Sequence, residues 1–312
     1  MKLAYIFPGQ GSQSLGMLQD LAARYSIVQE TFQELSDTLG FDSWALAQNG
    51  PEDKLNLTEV TQPLLLAAGI AVFRVWLSQT SSLSALCFAG HSLGEYTALV
   101  AAGALSFGDA AKLVALRGRL MQAAVPLGEG AMAAILGLED SIVAELCLEA
   151  AHGEIVTPAN YNSPGQVVIA GKKTAVLRAI ELAKNRGAKR TLLLQVSVPS
   201  HCALMEPAAE DLQAALQTIA FKAPSSPVIH NVHAQSVEKP EFIQAALVQQ
   251  LSKPVLWTAC VQQMAALGAD LFVECGPGGV LSGLHRRILR DSPCLPLGDV
   301  ENLTQALSRL YE

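Results

Sequence analysis

Paired cysteines, a surplus of positive charge and an uninterrupted apolar run of membrane length are all missing from this 312-residue sequence. The six cysteines, Cys87, Cys147, Cys202, Cys260, Cys275 and Cys294, are scattered, with no C-x-x-C pair and no Cys/His spacing of the zinc type. That argues against a disulfide framework or a zinc site and for reduced thiols in a cytoplasmic protein with no metal. The formal charge is −7, so nucleic acid and anionic membranes do not attract the chain in bulk. No apolar stretch reaches the length of a span, which leaves no membrane to expect as a partner. The N-terminal residues carry one lysine and run into Pro8-Gly9-Gln10-Gly11-Ser12-Gln13, which does not resemble a signal sequence. The same glycine-rich stretch lacks the Lys-Ser/Thr of a phosphate-binding P-loop and the spacing of a dinucleotide fingerprint; a tight strand-to-helix loop presenting Gln10 is the better reading. With half its residues hydrophobic and 16% charged, the composition is that of a well-packed domain, long enough to carry an insertion.

The most informative stretch is Phe88-Ala89-Gly90-His91-Ser92-Leu93-Gly94-Glu95-Tyr96. It fits Gly-x-Ser-x-Gly with an apolar run before it and an alternation of small and apolar residues after it, hence strand, tight turn, helix. A serine at such a corner is lifted out of the sheet and sits at a helix N-terminus, where unpaired backbone N–H groups stabilise a developing oxyanion. A serine merely capping a helix after a glycine-rich turn is the plainer alternative.

Lys2 to Phe7 predicts a buried strand. Helices are expected from about Met17 to Leu39 and from Gln62 to Ser78, a polar connection at Ser81 to Ser84, and a strand at Ala85 to Ala89. Strands alternating with helices argue for a largely parallel sheet with ligand sites beyond the carboxyl ends of its strands, a rim that Gln10 and Ser92 then share. On the helix expected from Asp109 to Ala124, Arg117 falls within the stripe of Leu113, Leu116 and Leu120, whereas Arg119 lies on the wet face. An inward guanidinium needs an anion, either an internal carboxylate or the carboxylate of a substrate.

After residue 126 the texture changes. Strands at Ala131 to Leu136, Ile155 to Asn160, Gln166 to Ala170 and Lys189 to Val198, with helices at Glu139 to Ala151 and Thr174 to Arg186, spell the β-α-β-β-α-β order of a ferredoxin-like unit. The expected division is a large α/β subdomain from residues 1–126 and 198–312, interrupted by a small one at 127–197, with a substrate cleft between them. His201, placed directly after the last of these strands, is the favoured base among six histidines, while His91 should point elsewhere from the elbow. No Asp or Glu near His201 suits a third triad position; a backbone carbonyl or amide oxygen can fix its tautomer instead. Two basic groups stand out on this acidic chain, Lys184, Arg186, Lys189 and Arg190, and Arg286, Arg287 and Arg290. Either is a solvated face or a meeting place for an acidic partner.

Phe7-Pro8-Gly9-Gln10-Gly11-Ser12-Gln13, Gly90-His91-Ser92-Leu93-Gly94-Glu95-Tyr96, Arg117-Gly118, Asn160 to Gln166, Pro199-Ser200-His201 and Glu274 to Gly278, in this order, resemble the malonyl-CoA:acyl carrier protein transacylases of bacterial type II fatty acid synthesis. The resemblance covers nearly the whole chain. It implies an α/β-hydrolase-like parallel-sheet core with an inserted ferredoxin-like subdomain, and malonyl-CoA and holo acyl carrier protein as substrates, with no cofactor and no nucleic acid. It also implies a monomer. By the same resemblance Ser92 is the nucleophile, His201 its base, Gln250 the residue whose carbonyl orients that base, Gln10 and Leu93 the oxyanion-hole amides, and Arg117 the carboxylate clamp. A discrete polyketide-type acyltransferase and a serine thioesterase on the same core are the alternatives, and a catalytically idle scaffold that docks carrier protein is a third.

Overall fold

Leu3–Phe7 (β1) is buried at every position, as a strand covered on both faces of a parallel sheet must be. It lies in the middle of the larger of two sheets, beside Ala85–Gly90 (β2). Four strands of the second sheet follow in the chain: Gly130–Leu136 (β3), Val156–Ser163 (β4), Gln166–Lys172 (β5) and Arg190–Leu193 (β6). The chain then returns to the first sheet with Val228–His230 (β7), Gln235–Ser236 (β8), Leu271–Glu274 (β9) and Cys294–Pro296 (β10). The computed structural model describes residues 2–80, 84–194, 196 and 198–310. Most of the connection expected at Ser81 to Ser84 is outside the described residues, as are Gln195 and Ser197.

The large sheet has the order β10-β9-β1-β2-β7-β8, parallel throughout except for β8 at one edge. Because β1 and β2 are central neighbours, the loops after Phe7 and Gly90 leave the sheet together, and the His91 N–H donates to the Phe7 carbonyl at 3.0 Å. Gln10 and Ser92 thus come to one rim. Thr58–Gln79 starts earlier than its apolar pattern suggests and is the core helix of this layer. It is long and apolar enough to cross a membrane, yet 83% of its most apolar window is buried inside the protein. Phe107–Ala124 begins two residues ahead of expectation because Ser106 caps it, its hydroxyl accepting from the Asp109 N–H at 3.1 Å. These two helices touch at Gly118, where an added Cβ would lie 2.5 Å from the Glu59 Cα. That close approach brings Arg117 within reach of Gln62.

The small sheet has the order β4-β5-β3-β6, all antiparallel, which is the ferredoxin-like arrangement. Its strands alternate as a half-buried sheet demands. Ala131, Ala133, Ile135, Val167 and Ile169 pack against the helices Asp140–Ala151 and Lys173–Asn185, while Met132, Ala134, Val168 and Ala170 face the other way with Ala159 and Cys202. That second face looks onto the layer of the larger sheet. β4 extends through Ser163, beyond the Asn160 expected, leaving Pro164 and Gly165 as a two-residue turn between Ser163 and its partner Gln166. The longer strand places Asn160 and Asn162 on one face. β4 is joined to the segment ahead of the helix Trp257–Ala266 by the Tyr161 N–H to the Val255 carbonyl and the Val255 N–H to the Ala159 carbonyl, both 2.9 Å. The strand expected at Lys189 to Val198 is shorter, β6 ending at Leu193. His201 therefore does not follow a strand directly.

Candidate active site

The elbow forms where only glycine fits, two residues before and two residues after Ser92. A Cβ on Gly90 would lie 1.9 Å from the Gly94 carbonyl carbon, and one on Gly94 would lie 2.1 Å from the Phe7 carbonyl oxygen. Ser92 itself sits in the left-handed region with φ 52°, a conformation costly for a residue with a side chain and held only where the surroundings over-determine it. Here the Ser92 N–H is fixed by the Asn231 Oδ1 at 2.7 Å, and the Asn231 Nδ2 donates to the Gly90 carbonyl at 2.7 Å. The helix Gly94–Ala101 begins immediately afterwards, so the hydroxyl projects at a helix N-terminus.

His201 lies in a turn ahead of the short 3-10 segment Ala203–Met205, with φ 63° and 2% of its surface exposed. Its N–H donates to the Leu251 carbonyl at 3.0 Å. The ring Nδ1 is 2.6 Å from the Gln250 carbonyl, and Nε2 is 2.8 Å from the Ser92 Oγ. A carbonyl can only accept, so Nδ1 carries the proton and Nε2 offers its lone pair to the serine. Burial, then the neighbouring Arg117 charge, push the His201 pKa down to about 3 against the opposing Gln250 carbonyl. The ring stays neutral, a base with its lone pair available, well below the usual histidine range. The acylation rate, followed by rapid quench, is therefore expected to stay level as pH falls from 8 to 5, with no bend at 6.5; such a bend would show that this ring is not held neutral. The linked stability has the same sign: the unfolded chain takes up this proton first, so stability is lost as pH falls from 6.5 towards 3.

Arg117 is 1% exposed, and among the described residues no carboxylate takes its hydrogen bonds. Its Nη1 donates to the Gln62 Oε1 at 2.7 Å, and its Nη2 to the Gln250 Oε1 at 3.0 Å and the Ser92 Oγ at 3.2 Å. Its Nε is buried without a hydrogen-bond partner, and the guanidinium lies 5.5 Å from the Tyr96 ring centroid. Burial pulls its pKa below the ordinary value, while Tyr96 and Glu95 oppose that. Of the two readings of an inward arginine, the internal salt bridge is absent among the described residues. A guanidinium held by neutral oxygens keeps its charge for an incoming anion.

Gln10, Ser92, Leu93, Arg117 and His201 line one cleft with Met121, Met132, Asn160, Asn162 and Val168, so the layers of both sheets contribute walls. Neither the Gln10 nor the Leu93 backbone N–H is taken by an internal acceptor among the described residues. His91 turns away from the serine, its Nε2 2.8 Å from the Asn162 Oδ1, which ties the elbow to β4. Sequence reasoning assigned no part to Gln62, Asn162, Asn231, His230 or Glu95. Glu95 is fully buried behind the site, against His230, Asn231 and Gln250. Its place in the first turn after the elbow was a signal, since an anion there suits the helix N-terminus.

The two basic groups converge only in part. Lys184 pairs with Glu181, and Arg186 with Glu145 and Glu149. Lys189, Arg190 and Arg287 line a separate groove with Leu136, Gly137 and Pro164.

A parallel α/β sheet carrying a serine–histidine pair at a strand-to-helix elbow, with a buried guanidinium against the serine hydroxyl, is the architecture of an acyltransferase. The acyl transferase domain family matches residues 4–306. The malonyl CoA-acyl carrier protein transacylase of Escherichia coli K12 is 53% identical over 306 residues, covering 98% of this chain and 99% of its own. That of Bacillus subtilis is 42% identical, covering 100% and 98%. Among solved structures, the transacylase of Coxiella burnetii superposes with a TM-score of 0.97 at 47% identity over 100% of this chain and 98% of its own. A malonyl-transacylase solved with a type II polyketide acyl carrier protein does so at 0.97 and 51%, covering 99% and 100%. The chain belongs to the malonyl CoA-acyl carrier protein transacylase family.

Proposed function

We propose that the protein moves a malonyl group from malonyl-CoA to the phosphopantetheine thiol of acyl carrier protein, through a malonyl ester on Ser92. The observation that carries this is the buried guanidinium of Arg117, 3.2 Å from the Ser92 Oγ and paired with no carboxylate among the described residues. In a malonyl thioester a single methylene separates the carboxylate from the reacting carbonyl, so the cation that grips one end must lie beside the nucleophile that attacks the other.

Ser92 Oγ attacks the thioester carbonyl carbon as its proton passes to His201 Nε2, and the carbonyl oxygen becomes an oxyanion held by the Gln10 and Leu93 N–H groups. The Gln250 carbonyl keeps His201 in the tautomer this requires. The tetrahedral intermediate collapses by breaking the C–S bond, and His201 returns the proton to the CoA sulfur. The carrier thiol then gives its proton to His201 and attacks the acyl-serine, and the same steps run in reverse with ping-pong kinetics. Side chains and backbone supply every group in this scheme, so it calls for no resident cofactor. All of them come from one chain, which suits a monomer. Six free thiols suit a cytoplasmic location.

The Lys189, Arg190 and Arg287 groove suits the approach of the acceptor. Leu136, at that groove, lies four residues along β3 from Met132 in the cleft, about 13 Å at strand spacing. Both thiol carriers bring phosphate groups on a long arm. Because one similar transacylase was solved with a polyketide carrier protein, the acceptor of this chain is put to the test with carriers from both pathways.

Intact-mass analysis after mixing with malonyl-CoA is expected to show one malonyl adduct on the enzyme, and addition of holo carrier protein to move that adduct onto the carrier. Free malonate appearing as fast as CoA, with carrier present, would establish a hydrolase instead.

A further inference from the structure

The charge of Arg117 has a partner that does not touch it. The Gln250 side chain stands between Arg117 and Glu95: its Oε1 accepts from the Arg117 Nη2 at 3.0 Å, and its Nε2 donates to the Glu95 Oε2 at 2.9 Å. A guanidinium can only donate and a carboxylate can only accept, so this pair of neighbours fixes which way the amide faces. The same Nε2 is 2.9 Å from the Ser92 carbonyl. The Glu95 carboxylate also accepts from the Asn231 N–H at 2.9 Å, and its Oε1 lies 2.8 Å from the His230 Nδ1. The His230 Nε2 is buried with no partner, so a ring protonated only at Nδ1 leaves no buried N–H unmatched. Glu95 is 0% exposed and Arg117 is 1% exposed. An isolated charge at that depth is costly, and two opposite charges one amide apart relieve each other.

We propose that Glu95 is the resident counter-charge of Arg117: through the Gln250 amide it stabilises the guanidinium of the empty site while leaving that guanidinium's hydrogen-bonding edge to the substrate carboxylate. This rests on Arg117 being the carboxylate clamp. A carboxylate in direct contact would fill the clamp. One held behind a neutral amide stabilises the waiting cation and also opposes the bound malonyl anion, which moderates its affinity and favours its departure. Glu95 touches no reacting atom and is a positioning residue.

Glu95→Gln removes the charge and keeps the side chain's size: its amide oxygen can accept from Asn231 and Gln250, while its NH2 meets His230 only in the tautomer that leaves the buried Nε2–H unmatched, a cost independent of Arg117 that the comparison with the double variant cancels. The melting temperature of the unliganded protein is expected to fall by about 5–10 °C. In the double variant with Arg117→Met, the loss is expected to be smaller than the sum of the single losses by at least about 3 °C. If Glu95→Gln alone fails to fold, the double variant is expected to regain a folded state. No loss in Glu95→Gln, additive losses, or a double variant that stays unfolded would overturn the proposal.

A second measurement separates charge from simple packing. In a Ser92→Ala background, calorimetric titration with malonyl-CoA and acetyl-CoA is expected to show Glu95→Gln raising the malonyl-over-acetyl preference severalfold. An unchanged or reduced preference would overturn it. If the Ser92→Ala protein shows no such preference and Arg117→Met does not alter it, the clamp assignment fails, whereas the melting temperatures still decide whether the two charges are coupled.

Discussion

Ser92→Ala is expected to take up no malonyl group from malonyl-CoA and to lose at least about four orders of magnitude in kcat/KM, as other serine nucleophiles do when their hydroxyl is removed. The substitution isolates the hydroxyl. Alanine carries the same backbone cost as serine at φ 52°, and the hydrogen bond that fixes the elbow, from the residue 92 N–H to the Asn231 Oδ1, belongs to the backbone. The melting temperature should therefore scarcely move. Among the described residues one other hydroxyl, that of Ser200, lines the same cleft, but the His201 Nε2 is directed at Ser92. Intact mass followed by peptide mapping distinguishes them. An adduct that persists on the variant and maps to Ser200 would transfer the nucleophile's role and leave the base in place.

The distribution of what was legible in the sequence follows from how far apart the interacting groups lie. The elbow is a local device: strand, turn and helix are written into about a dozen consecutive residues, and the glycines that permit it stand two residues to either side of the serine. The ferredoxin-like order was readable for the same reason, each element carrying its own periodicity. Arg117 was readable as inward because it breaks the polarity of its own helix face. What holds Arg117 was not. Gln62 is 55 residues away, Gln250 is 133 away, and Asn231 stands 139 from the Ser92 it clamps. A side-chain amide buried by such a contact leaves no periodic mark in its own segment, so Gln250 entered through family resemblance alone. His201 was selected as following a strand directly, and the structure does set its ring against Ser92 but by another route. The strand before it stops at Leu193, and what sets its position is the loop's hydrogen bond to the Leu251 carbonyl, a pairing invisible locally. The sequence offers no acid beside His201, and the ring's Nδ1 faces the Gln250 carbonyl instead. The carboxylate of this network is Glu95, set one residue further back, where it serves the Gln250 amide and not the imidazole.

Arg117→Ala is expected to lower kcat/KM for malonyl transfer by about a hundredfold to a thousandfold, the scale on which a water-excluded site responds to the removal of one charge-assisted hydrogen-bond donor, while acetyl transfer is spared or improved. The asymmetry is the informative quantity. Acetyl-CoA offers nothing for a guanidinium to hold, so removing the guanidinium takes no interaction from it, and truncation to alanine opens apolar room beside Met121 and the Tyr96 ring. The same variant carries a second signature. Arg117 is one of the causes that hold the His201 pKa down to about 3. Without it the base should rise towards the ordinary histidine range, so the acid limb of the acetyl-transfer pH profile should move upward while the plateau at higher pH persists. Burial is the larger cause and remains, so the limb should still lie below 6.5. Equal losses for malonyl and acetyl donors would identify Arg117 as an internal support of the Gln62, Gln250 and Ser92 network. A selective malonyl loss with a shifted acid limb requires the guanidinium to act both on the substrate's carboxylate and, across the nucleophile, on the charge of the base.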